Sequence, residues 1–246
     1  MILHFHLGWL AIVLTGFLGI AQAQTQDYVS SGNYQILFCG AGSPDSKASQ
    51  LQGIIPNTLH RIQALLADVK LGTRSTHGFA AFFKTNDNIP TVQKVFQTML
   101  DAPKVGLDQT KPIFACTDPN NDLTKSVDAN CLKWQNVPLV SWPQYGVIFI
   151  CPYFWTRFPL PFHSDCPTVL NNVLVPDSAI LSVNQYAAMI QQLVHLYVPG
   201  VRSTADEVSQ VQEAVNLDAK ASLGNANNYA LYAAGKPLGN WQMLRG

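Results

Sequence analysis

The chain offers few groups for chemistry, and the most suggestive of them share one window. In Ala188-Met189-Ile190-Gln191-Gln192-Leu193-Val194-His195-Leu196-Tyr197, positions 191 and 195 stand four residues apart. On a helix that spacing sends both side chains off one face. Two imidazoles so placed, with a glutamate directly after the first, hold Zn²⁺ and set a general base beside metal-bound water. Here the frame reads Gln-Gln-x-x-His: Gln191 stands at the first ligand position, Gln192 at the base position and His195 at the second ligand position. A carboxamide is a poor ligand for Zn²⁺, and an amide does not accept a proton near neutral pH. The window also reads as core, with Tyr186, Met189, Ile190, Leu193 and Tyr197 packing inward and His195 a hydrogen-bonded core histidine.

Other chemistry is not indicated. There is no Gly-x-Ser-x-Gly elbow, phosphate loop or dinucleotide fingerprint, and the carboxylates are scattered. Lys+Arg and Asp+Glu number 15 each, a formal net charge of zero, which argues against a nucleic-acid partner or a polybasic membrane patch. Hydrophobic residues make up 48% and charged residues 12%, about half the usual charged share of roughly 25%, so an apolar-rich folded chain is expected rather than a disordered one.

Part of the apolar excess lies at the start. Leu7 to Ile20 is an uncharged hydrophobic run followed by Ala21-Gln22-Ala23, a small-x-small cleavage signature. The run is short for a membrane span. The expectation is a signal peptide over 1–23, then a single domain over 24–246 that is secreted, extracellular and free of the membrane after cleavage. Secretion makes the cysteines readable as disulfides. Cys116 and Cys131 lie fifteen residues apart across loop-like sequence, as do Cys151 and Cys166. Local closure favours Cys116–Cys131 and Cys151–Cys166, with Cys39 left as a buried thiol.

The elements that must position the window follow from periodicity. Tyr34–Cys39 reads as a first strand. Ser46–Val69 carries apolar residues at 51, 54, 55, 59, 62, 65, 66 and 69, an amphipathic helix that Pro56 should kink or interrupt. Phe79–Phe83 reads as a short strand. A helix follows with Pro90 near its start and Val92, Val95, Phe96 and Met99 on one face. The middle is loop-rich, with strands at Ile113–Cys116, Pro138–Val140 and Val147–Cys151. The last third is helical, over Ser182–Tyr197, Asp206–Lys220 and Leu223–Ala234, the third started by a cap at Asn225 or a neighbour. The order is α+β, a small mixed sheet with a helical C-terminal half.

Two stretches carry a resemblance. Asn225-Ala226-Asn227-Asn228-Tyr229-Ala230-Leu231-Tyr232-Ala233 resembles the Asn-Ala-Asp-x-Tyr-Ala-Leu-Tyr-Ala segment of the deuterolysin (aspzincin) family of secreted fungal zinc endopeptidases. Val147-Ile-Phe-Ile-Cys151-Pro-Tyr-Phe154 resembles the strand-then-cysteine stretch ahead of that family's active-site helix. The similarity covers roughly residues 110–235 and is clearest over the last fifty of these. It implies a zincin-like metallopeptidase fold, with His195 a zinc ligand and Asp206, eleven residues on and followed by Glu207, the matching third ligand. Against the family pattern, Gln191 and Gln192 replace the first ligand and the catalytic glutamate, Arg202-Ser203-Thr204-Ala205 replaces a Gly-Thr lead-in, and Asn227 replaces an aspartate. The expectation is therefore a catalytically inactive pseudopeptidase without a cofactor, which binds a peptide or protein in the inherited cleft. The alternative is an active zinc metalloendopeptidase with a rearranged site, where His195, Asp206 or Glu207 and a histidine from elsewhere hold the metal.

Overall fold

The computed structural model describes residues 28–30, 33–40, 43, 45–75, 78–101, 111–118, 120, 124–133, 137–157, 185–198, 200–201, 207–208 and 211–234. The expected signal segment 1–23 lies outside them. So do His77, His163, Cys166 and Asp206.

Five short strands form one mixed sheet: β1 (Tyr28–Ser30), β2 (Gln35–Leu37), β3 (Ile113–Cys116), β4 (Leu139–Trp142) and β5 (Val147–Ile150), in the order β1-β2-β3-β5-β4. β2, β3 and β5 run parallel, while β1 and β4 are antiparallel to their neighbours. Every residue of β3 and β5 is buried, as expected of parallel strands covered on both faces. The period of two sorts them: Phe114, Ile148 and Ile150 join the main helical core, while Ile113, Ala115, Val147 and Phe149 join a smaller core on the opposite face.

The main core is built by α1 (Lys47–Val69), α2 (Phe79–Phe83), α3 (Ile89–Asp101), α6 (Gln185–Tyr197), α7 (Val211–Asn216), α8 (Ala219–Leu223) and α9 (Ala226–Ala234). α4 (Lys125–Lys133) and α5 (Pro152–Arg157) follow β3 and β5. Past β5 the described residues hold helices and no strand. The α+β order, the small mixed sheet and the helical C-terminal half are as the sequence suggested. No helix among the described residues is long and apolar enough to cross a membrane.

Several local expectations need correction. α1 starts where Ser46 accepts the Ser49 N–H at 3.1 Å, and it runs through Pro56 without interruption. Pro56 sits on the exposed face, as does Gln52, whose carbonyl loses its helical partner but stays open to water. Phe79–Phe83 is a helix, not a strand. Gly78 at φ +85° and Lys84 at φ +69° break the backbone at its two ends. Between them Phe79, Phe82 and Phe83, at i, i+3 and i+4, are all buried. Their partners are aromatic: Phe83 meets Tyr229 at 4.9 Å and Tyr232 at 5.6 Å between ring centroids. The helix expected over 206–220 is instead the separate α7 and α8, with Asp218 capping the second by accepting the Ala221 N–H at 2.7 Å.

The disulfides are Cys39–Cys116 and Cys131–Cys151, not the two local loops expected. Cys39 is therefore not a free thiol. The reason is sheet order: β2 and β3 are parallel neighbours, so the second residue past one and the last residue of the other reach the same rim, Cα atoms 5.1 Å apart. Cys151 follows β5 and turns to the smaller core, where Cys131 on α4 meets it.

Candidate functional site

α6 is buried nearly all round, packed by α1, α3, α9 and the strand β4. Met189, Ile190, Leu193 and Tyr197 are core residues, as the periodicity indicated. Tyr186 is partly exposed, with the Arg61 guanidinium 4.4 Å from its ring centroid. Gln191 and His195 do share one face of this helix, and they meet there at a common acceptor.

That acceptor is Glu207. Its Oε2 lies 2.8 Å from Gln191 Nε2 and 3.1 Å from His195 Nε2. Its Oε1 accepts the backbone N–H of Asn227 at 2.5 Å. The glutamate side chain is 2% exposed and that of His195 is 9% exposed. A buried carboxylate needs compensating donors, and here it has three from two helices. The Asn227 bond falls in the first turn of α9, so the carboxylate also satisfies an orphan N–H at the positive end of that helix. This corrects the expected cap. Asn225 instead clasps the segment that carries Glu207, donating to Val208 O and accepting from Val208 N, both at 3.1 Å. Asn227 Nδ2 donates to the same Val208 carbonyl at 3.2 Å.

Gln192 turns elsewhere. It is 4% exposed, and its Oε1 accepts the backbone N–H of Ser141 on β4 at 3.0 Å. The position expected to face a reacting group is thus bound to the edge of the sheet.

These groups can be tested against zinc by their donor chemistry. A carboxylate only accepts, so the Gln191 amide nitrogen and His195 Nε2 must both present hydrogen to Glu207. Zinc requires a lone pair from every ligand; His195 and Glu207 could each give one, but Gln191 offers only a carboxamide, a poor ligand. Two good ligands fall short of the three a protein zinc site needs, so the described residues do not fit Zn²⁺. Among them no group of three or more His, Cys, Asp or Glu could hold a metal ion. A groove of about 550 Å³ between α1 and α3, lined by Gln63, Lys70, Gln93, Lys94 and Gln97 among others, includes none of these side chains.

The sequence singled out Gln191, Gln192 and His195, and the structure unites two of them. The resemblance favours Asp206 and offers Glu207 only as its substitute, yet Glu207 is the residue that meets His195. The local charge pattern does not mark Glu207 out, since its role rests on contacts to α6 and α9.

Sequence comparisons with curated proteins agree with the resemblance. Over 176 residues the chain is 26% identical to a neutral protease 2 homolog of Uncinocarpus reesii, covering 69% of this chain and 44% of that one. Over 155 residues it is 27% identical to the neutral protease 2 homolog MEP3 of Coccidioides posadasii, covering 62% of this chain and 36% of that one. The chain thus spans less than half the length of these curated relatives. A zinc peptidase from Grifola frondosa aligns in structure with a TM-score of 0.49 and 15% identity, over 76% of this chain and 93% of that one. No protein-family model matches the chain.

Proposed function

We propose that this chain, a deuterolysin-like relative of the neutral protease 2 proteins, is secreted and acts by binding a peptide rather than by cleaving it. Kinship to metallopeptidases sets the scaffold, and the residues at the expected chemistry set the departure. The carrying observation is Glu207 between Gln191 and His195. Gln191 Nε2 and His195 Nε2 both engage Glu207 Oε2, and the Gln192 carbonyl oxygen accepts the Ser141 N–H. The carboxamides at 191 and 192 take no proton near neutral pH, so neither serves as a general base beside His195. Two disulfides among the described residues suit an oxidising compartment, which supports secretion. A peptide suits the surface at β4, an edge strand whose Trp142 is 37% exposed.

The test is digestion and binding on the same purified sample. Casein incubated with the protein should stay intact with or without added Zn²⁺, while fluorescein-labelled casein peptides should bind. Chelator-sensitive digestion, with stoichiometric zinc by elemental analysis, would establish the alternative of an active rearranged site built on His195, Asp206 or Glu207 and a further histidine.

A further inference from the structure

β4 closes one side of the sheet, pairing β5 and no other described strand. Its register runs from Leu139 opposite Ile150 to Trp142 opposite Val147, and just ahead of it Cys151 N donates to Pro138 O at 2.9 Å. Backbone direction alternates along an antiparallel strand. Pro138, Val140 and Trp142 therefore address β5, while Leu139 and Ser141 address the outer side. An outward N–H on a bare edge is a template for another strand. Here the Ser141 N–H is already taken by Gln192 Oε1. The side-chain carbonyl stands where the main-chain carbonyl of an added strand would stand. Gln192 is held there by a helix packed on nearly every side.

We infer that Gln192 is the plug of this edge. An extended peptide pairing with β4 must first displace the Gln192 carboxamide from Ser141, so Gln192 sets how readily the edge accepts peptide. The occupant is an extended peptide because the groups on offer are main-chain ones, and because Trp142, against Phe149 at 5.0 Å and Tyr145 at 5.9 Å, forms an aromatic shelf at the strand's end. The peptide half of this inference rests on the reading of the protein as a peptide binder; the contact between Gln192 and Ser141 does not.

Amide exchange of the full-length chain, read residue by residue by NMR, tests the plug directly. Gln192→Leu should speed exchange at Ser141 at least tenfold and leave Val140 and Trp142, which face β5, as slow as before. Gln192→Glu keeps an acceptor and should keep Ser141 slow. Gln192→Met serves if the leucine variant does not fold. Ser141 remaining slow in a folded leucine or methionine variant overturns the inference. Labelled casein peptides should bind the leucine variant about tenfold more tightly than the parent. Equal, measurable affinity for both overturns the gating role, as does a leucine variant that dimerises through the opened edge. Fast Ser141 exchange with no peptide bound by either protein overturns the binding function while upholding the plug.

Discussion

Glu207 and His195 meet at 3.1 Å, Oε2 to Nε2, in a place almost closed to solvent, and the same oxygen accepts the Gln191 amide. The pair ties the segment before α7 to α6, and Oε1 ties it to α9. Substitution should therefore cost stability. Glu207→Ala strands the amide of Gln191, the ring of His195 and the Asn227 N–H together, and a loss of about 2–3 kcal/mol is expected. Gln191→Ala removes a single donor and should cost about 1 kcal/mol. Urea midpoints at constant slope are the measurement, and a Glu207→Ala protein as stable as the parent would refute the network.

Restoring the ligand frame should change what the site attracts. Gln191→His puts a second imidazole at i−4 from His195, with the Glu207 carboxylate already beside that ring. Calorimetric titration should show zinc binding appear in Gln191→His and in Gln191→His with Gln192→Glu. Gln192→Glu alone should gain none, because that side chain is directed at Ser141. The parent's thermal unfolding should not move when a chelator is added. Equal zinc affinity in parent and double variant would show that positions 191 and 195 do not form a metal-capable face.

Alkali should expose three phenols late. Burial holds the hydroxyls of Tyr197, Tyr229 and Tyr232 above their ordinary value of 10.0, and for Tyr232 the hydrogen bond to Asp68 adds to the effect. The folded state keeps protons that the unfolded chain releases, so this contribution to stability is complete below about pH 10 and declines above it. The tyrosinate absorbance of these three should appear only with cooperative unfolding. One smooth titration of all eight tyrosines in a folded sample would contradict their burial.

Non-reducing peptide mapping should recover Cys39 linked to Cys116 and Cys131 linked to Cys151. The first closes 77 residues, for which chain entropy gives roughly 4 kcal/mol, against roughly 3 for the 20-residue closure. Cys39→Ser with Cys116→Ser should thus lower stability more than Cys131→Ser with Cys151→Ser. Recovery of a Cys116–Cys131 peptide would overturn both bridges.

What the sequence disclosed was local. The period of α6 placed Gln191 and His195 on one face, and the apolar runs Ile113–Cys116 and Val147–Ile150 gave the central strands. Phe79–Phe83 reads as a strand, since five apolar residues in a row fit one, yet it is a helix. The cause is tertiary: Phe79 packs against Tyr232 and Phe83 against Tyr229, contacts that no local pattern carries. Disulfide partners depended on which strands are neighbours, a property of the sheet and not of spacing. The roles of Glu207 and Gln192 depended on contacts 12 and 51 residues away, to His195 and Ser141, and no periodicity carries those.

The sulfur bridges also define a path for force. Tension applied at the two ends would pass from Cys39 directly into Cys116, run along the chain to Cys131, and pass directly into Cys151. Residues 40–115 and 132–150, which contain α1, α2, α3, β4 and β5, lie off that route. Stretching would lengthen the flanks and the 117–130 segment and leave those elements unloaded until a sulfur–sulfur bond is reduced.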